Sequence, residues 1–443
     1  MQQLRISEDK RWLNMADGTP FVWIGDTAWE LFNRLTREEA AYYFAKRKEQ
    51  GFNVIQAALL AEMNGLKAGN AYGEVPLHEL DSDRPNESYF ELADEMIRMA
   101  GEHGMYMALL PAWGDKVLEP GDGPRIFNPA YGNQGAEAAI DRAYRYGRWL
   151  GSRYRDEPNI VWVLGGDRDY TESSDPHGTL KELWRSMARG LKDGDGGSHL
   201  ITFHVCRGSS IYFPADEWLD FHMAGSYHFA RDLETSYQFI ERDYGRFPIK
   251  PALDAEPRYE DHPINWLPEN GYFDDYETRQ GAYWSVFAGA CGHTYGCHDV
   301  WQFHGPAFEP VCYPRTHWRE ALSLPGANQM AILRRLMESR PLQGRVPAQE
   351  LLRYNYTGGD RVSVMRGEGY VWVYSPKGRT FELDLSGFGN ASFTAAWLDP
   401  RSGDSLQSDT TASAGGIADR AAAFVPPSSG RGSDWILVLS REE

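Results

Sequence analysis

The sequence is short of several things, and each shortage closes off a class of function. Four cysteines stand in 443 residues, Cys206, Cys291, Cys297 and Cys312, with no CxxC spacing. That is too few and too scattered for a disulfide scaffold or a thiolate zinc site. Basic residues are outnumbered, 45 Lys and Arg against 63 Asp and Glu, for a formal charge of −18. A phosphate backbone needs a basic surface, so no nucleic-acid partner is expected. No run of ~18 apolar residues occurs, so no membrane span is expected either. The N-terminus, "MQQLRISEDKRWLNMADG", lacks an apolar segment of signal-peptide length. The expectation is a cytoplasmic protein with reduced thiols, although a chain whose leader had been removed would look the same.

What is plentiful is aromatic. Trp, Tyr and Phe make up 13%, including 15 Trp and 24 Tyr. Such side chains stack on the apolar faces of sugars, but they also fill large cores, so alone they decide nothing.

Between residue 20 and about 305, short apolar runs alternate with helix-like stretches. The strand-like runs are "FVWIGDTAW", "FNVIQAALL", "MYMALLPAW", "NIVWVLGG", "HLITFHV", "LDFHMAGSYH", "FPIKPALDAE" and "CGHTYGCHDVWQF". Helices are predicted over 36–51, 88–104, 135–154, 177–193, 231–244, 275–290 and 328–339. The first has a Thr N-cap, early acids, late bases and a closing Gly. Eight apolar strands alternating with helices predict a (β/α)8 barrel over residues 1–342. A doubly wound open sheet is the alternative, but "GDTAWELF" offers no glycine-rich phosphate loop after the first strand. Beyond "RPLQGRVPAQE" the segments are short, alternating and turn-punctuated, predicting a small antiparallel β-sandwich over 343–443. "SLQSDTTASAGGIADRAAA" within it is expected to be a surface loop.

In a barrel, chemistry sits where strands end. These ends carry Asp26 and Trp29, Trp113, Asp167, His204, Tyr227 and His228, Glu256, and Trp301. Asp167 follows two glycines in "VWVLGGDRDY", and Glu256 closes the seventh run. Carboxylates on opposite strands are the pair that cleaves a glycosidic bond, one as acid, the other as nucleophile or base. Their separation sets the stereochemistry, ~5–5.5 Å for retention and ~6.5–9.5 Å for inversion. Each residue has a plainer reading. Asp167 or Asp169 could cap a helix, Glu256 could be a solvated acid or pair with Arg258, and Asp26 with Thr27 could cap the helix start.

"FVWIGDTAWELF", "NIVWVLGGDRD", "LDAEPRYE" and "GACGHTYGCHDVWQF" resemble the apiosidase-like glycoside hydrolases over about residues 5–340. The family's fold is a (β/α)8 barrel related to a large retaining clan with acids on strands four and seven. The resemblance implies Asp167 as general acid/base and Glu256 as nucleophile, with no cofactor and no catalytic metal. It implies Asp26, His204, Tyr227 and His228 as sugar-binding groups and Trp29, Trp113 and Trp301 as pocket walls. The substrate class implied is an oligosaccharide, a pectic side chain losing a terminal sugar. Many clan members carry Asn-Glu at strand four; here Gly166-Asp167 is one methylene shorter, which bears on the separation. The C-terminal segment resembles the small β-sandwich attached to such barrels and labelled collagen-binding, although "WLDPRSG" and "DWILVLS" specify no collagen contact.

Three other functions compete. A metal-dependent hydrolase on the same barrel would use His204, His228, Asp254 or His298, but HExxH and a strand-one HxH are missing. A non-catalytic glycan-binding protein would keep the aromatics without the chemistry, and a peptide- or collagen-binding scaffold would be built on the C-terminal domain.

Overall fold

The computed structural model describes residues 1–119, 124–407, 412–413 and 421–442. Eight parallel strands form the centre: β1 (Trp23–Thr27), β2 (Val54–Ala58), β3 (Tyr106–Leu110), β4 (Ile160–Gly165), β5 (Ile201–His204), β6 (His222–Ala224), β7 (Ala252–Asp254) and β8 (Gly292–Tyr295). Every residue in them is buried, which is why they read as unbroken apolar runs rather than alternating ones. Their order is β5-β4-β3-β2-β1-β8-β7-β6, and a parallel bridge from Cys206 to Gly225 joins the two outer strands. That bridge closes the barrel and rules out the open sheet.

Seven helices follow the predicted segments: α1 (Arg37–Glu49), α2 (Glu87–Glu102), α3 (Gly135–Arg153), α4 (Thr179–Asp195), α5 (Thr235–Tyr244), α6 (Asp275–Phe287) and α7 (Pro325–Glu338). The Thr36 signal is a full capping box. Its side chain accepts from the Glu39 N–H, and the Glu39 carboxylate accepts from the Thr36 N–H. An unpredicted three-stranded antiparallel sheet (Leu4–Ile6, Leu13–Met15, Pro20–Phe21) covers the opposite end of the barrel. It touches strand beginnings: Tyr106 donates to the Gln2 carbonyl, and Arg5 to that of Ser198.

The C-terminal strands are β9 (Val346–Pro347), β10 (Ser363–Gly367), β11 (Tyr370–Ser375), β12 (Phe381–Asp384), β13 (Ser392–Leu398), β14 (Ser405–Gln407), β15 (Ala412–Ser413), β16 (Ala421–Phe424) and β17 (Trp435–Arg441). The larger sheet runs β9-β10-β11-β17-β13-β14, with β15 beside β13, and β12 pairs with β16. The loop expected over 405–423 therefore contains strand at both ends; its residues 408–411 and 414–420 lie outside the described residues. Strand β11 faces two ways, as period-two side chains must. Tyr370, Trp372 and Tyr374 join the barrel's core, whereas Val371 and Val373 join the sandwich's own. Tyr374 stacks on Tyr283 of α6 at 5.0 Å, and Arg279 of α6 grips Asp434 with two bonds of 2.8 and 3.0 Å.

Candidate active site

Strand β4 ends in an unusual backbone. Gly165, Gly166 and Asp167 have φ of 92°, 119° and 50°. A Cβ on Gly165 would stand 2.2 Å from the His204 carbonyl, and one on Gly166 2.7 Å from the Gly114 nitrogen. Only glycine fits there, and the turn it permits swings Asp167 into the barrel mouth. An aspartate in the left-handed region is tolerated but uncommon, and such residues gather at functional sites.

The cavity at this mouth has a volume of about 140 Å³. Asp167 and Glu256 both line it, with Trp29, Tyr227, His228 and Trp301 around them. One ligand atom each from Asp167, His204 and Glu256 falls within a span of 4.8 Å. His204 bridges the acids from below. Its Nε2 is 2.9 Å from Glu256 and its Nδ1 3.6 Å from Asp167. Both nitrogens lie off the axis of an aligned hydrogen bond, so the contacts are ionic. Tyr227 donates its hydroxyl to Asp167 and its backbone N–H to the Glu256 carbonyl, tying the ends of β4, β6 and β7 together.

The surroundings drive the two carboxyls apart. Burial, and then the negative charge of Glu256, push Asp167 up to about 7. Burial also raises Glu256, but His204 and His228, the latter 3.5 Å away, outweigh it and bring Glu256 down to about 2. Burial disfavours the His204 imidazolium, yet Glu256 and Asp167 more than compensate and raise it. Below about pH 7 the site therefore offers one ionised carboxylate beside one that keeps its proton, the division of labour that acid and nucleophile need.

Several expectations need correction. Asp26 does not reach the cavity. It is fully buried on the outside of β1, 2.6 Å from Arg47 Nε and accepting from the Tyr43 hydroxyl at 2.5 Å, both on α1. Trp113 stands a layer back, packed edge-on against Trp29 at 4.9 Å rather than walling the cavity. Asp169 accepts from Tyr212 at 2.7 Å, so Asp167 alone of the two turns inward. Neither caps a helix; Asp175 accepts from the Leu180 and Lys181 N–H groups instead. Arg258 bonds Gln280 and the Arg231 carbonyl, not Glu256.

Sequence reasoning missed Glu62, Tyr259, His262, Trp266, Val311 and Cys312, all of which line the cavity. The clustering of His, Trp and acid in "EPRYEDHPINW", just past Glu256, was the available signal for three of them. Burial and the nearby Asp167 charge hold the Glu62 carboxyl well above its usual range.

A divalent cation could be held by Asp167, His204 and Glu256, whose donor set is the mixed carboxylate and imidazole type. The other ligands expected for a metal hydrolase are engaged elsewhere. Asp254 accepts from Ser226 at 2.8 Å, and His298 faces the Cys312 carbonyl at 2.8 Å.

The family model described as the catalytic domain of apiosidase-like proteins matches residues 7–343. A second, described as "Putative collagen-binding domain of a collagenase", matches residues 346–440. Among solved structures, one titled "Glycoside hydrolase" is 32% identical with a TM-score of 0.85, covering 99% of this chain and 97% of its own. A glycoside hydrolase family 5 protein from Bacteroides vulgatus is 30% identical, also at 0.85, covering 99% and 92%. A third, titled "Crystal structure of a putative glycoside hydrolase from Bacteroides vulgatus ATCC 8482 at 1.80 A resolution", at 16% identity and TM-score 0.73, shares the fold. No curated protein sequence matches the chain. With its barrel, its paired acids and a family match over most of its length, the chain belongs to the apiosidase-like family and is a glycoside hydrolase.

Proposed function

We propose that the protein removes a terminal neutral sugar from pectic oligosaccharides with retention of configuration. The observation that carries this is the pair Asp167 and Glu256, whose oxygens approach within 4.8 Å while one carboxyl is raised to about 7 and the other lowered to about 2. Retention works at ~5–5.5 Å between the carboxyls and inversion at ~6.5–9.5 Å, and so close an approach of the two acids favours the first.

In the first step the Glu256 carboxylate attacks the anomeric carbon while protonated Asp167 gives its proton to the departing glycosidic oxygen. The products are a glycosyl ester on Glu256 and a free alcohol. In the second, ionised Asp167 takes a proton from water, the hydroxide attacks the anomeric carbon, and Glu256 leaves as carboxylate. Trp29 and Trp301 provide apolar walls, and His204 and His228 keep Glu256 ionised. Removal of a terminal residue and the pectic assignment both rest on the family. Location in the cytoplasm remains part of the proposal. The four free thiols favour it, and fractionation of the producing cells tests it.

The test uses a panel of branched pectic oligosaccharides and 4-nitrophenyl glycosides, apiosides included, with the product anomer followed by NMR from the first turnover. The expected result is one released terminal sugar of retained configuration, abolished in E256Q. Release by E256Q at the wild-type rate would overturn the catalytic assignment, and an inverted product would overturn retention. Binding without any hydrolysis would favour the glycan-binding alternative.

A further inference from the structure

The loop after β7 carries a histidine that the two-carboxylate chemistry does not use. His262 lines the cavity and is otherwise enclosed, 3% exposed. Its ring is clamped on three sides. It stacks on His228 with centroids 4.1 Å apart, meets His298 edge-on at 4.5 Å, and stands perpendicular to Trp266 at 5.6 Å.

The hydrogen bonds around these rings fix where each proton sits. A tryptophan N–H can only donate, so His298 Nδ1, 3.2 Å from Trp301 Nε1, is an acceptor. His298 then carries its proton on Nε2 and donates it to the Cys312 carbonyl. His228 Nδ1 accepts from the Tyr259 N–H at 3.4 Å, so its Nε2–H faces Glu256. His262 Nδ1 is 2.7 Å from the Pro263 carbonyl, which can only accept, so the proton is on Nδ1. Its Nε2 is left as a bare lone pair. Burial and the flanking His228 and His298 rings oppose a second proton there. Among the described residues no donor meets this nitrogen, yet it is not sealed from the cavity as the nitrogens of His204 are.

We propose that His262 Nε2 accepts a hydrogen bond from one hydroxyl of the sugar that Glu256 attacks, and so selects sugars with a free hydroxyl at that position. The inference rests on the glycosidase reading. A sugar bearing an ether or a carboxylate there would set lone pair against lone pair and leave a buried acceptor unsatisfied. The clamp means the acceptor is in place before substrate arrives, so its contribution is not spent on ordering the ring.

The test takes the 4-nitrophenyl glycoside that wild type hydrolyses fastest, together with its complete set of monodeoxy analogues. For wild type, removing one particular hydroxyl lowers kcat/KM about tenfold or more. In H262F and H262L that penalty disappears, while penalties at the other hydroxyls stay. H262Q, whose amide oxygen can occupy the place of Nε2, restores part of it. Thermal unfolding of each variant shows which are folded, and H262Q carries the comparison if the apolar variants are not. A merely structural role would lower rates on all analogues alike, so equal penalty patterns in wild type and variants would overturn the inference and leave the glycosidase reading standing. If wild type hydrolyses no glycoside and no pectic oligosaccharide, both fall together.

Discussion

His204 holds its Nε2 2.9 Å from Glu256, beneath the cavity floor and 1% exposed. A cation so placed sets the charge of the nucleophile and limits how fully the acid can be raised, since its charge also lowers Asp167. The pH behaviour of the enzyme depends on that contact together with burial, the Asp167–Glu256 repulsion and His228.

Activity requires Asp167 protonated and Glu256 ionised. Asp167 is raised to about 7, so kcat/KM falls as pH rises through about 7. Glu256 is lowered to about 2, so no acid limb appears while the fold survives. A pH–rate profile on the native protein from about pH 4 to about pH 9 checks this. Activity that climbs between about 6 and about 8 would contradict the assignment of Asp167 as acid.

H204Q removes the cation from both neighbours. Glu256 rises towards or beyond the ordinary carboxylate value, ~4.3, and Asp167 rises further. Both limbs of the profile should move to higher pH, with a loss of activity near pH ~5 that wild type does not show. Unchanged limbs would mean that His204 does not set these charges.

G166A asks for a Cβ 2.7 Å from the Gly114 nitrogen and 2.8 Å from the Trp113 ring, at a φ of 119°. The strain costs ~1–3 kcal/mol before the clash is counted. Displacing Asp167 by ~1 Å should lower kcat by roughly 10²-fold. G18A is the control, because its added Cβ meets nothing within 4 Å at a similarly positive φ of 88°. It should lose a little stability and no activity.

D434N breaks the pair with Arg279, 1% and 0% exposed in their side chains, and leaves a buried guanidinium with one partner fewer. Arg279 keeps Asp275 and Gln329, so a loss of about 1–3 kcal/mol is expected, seen as a lower Tm, with kcat unchanged because neither residue lines the cavity. Wild-type stability in D434N would show that the sheet contact is not structural.

The fold was legible because its elements obey local rules. Eight buried strands read as apolar runs, and Thr36 with Glu39 announced a helix start. Asp167 and Glu256 were legible because strand ends are where a barrel does chemistry. Asp26 sits at a strand end too, but side chains alternate along a strand, and residue 26 falls on the face towards α1. Sequence position gives the end of a strand and not the side to which a residue turns. Tyr259, His262 and Trp266 were missed for a different reason. They lie on a loop whose path has no period, and only the closed barrel brings them above Glu256. The N-terminal sheet escaped notice because strands of two or three residues carry too little pattern to stand out.

Strand β11 contributes alternate side chains to two interiors, its aromatics to the barrel and its valines to the sandwich. The halves of this chain are consequently not interchangeable parts. A C-terminal segment grafted from another protein would have to bring both faces of that strand, an aromatic row shaped to α6 and an aliphatic row shaped to its own second sheet. Recombination at the junction near residue 345 would preserve each half's sequence and still expose the seam. Lineages carrying this barrel with this sheet should therefore have inherited the two as a pair.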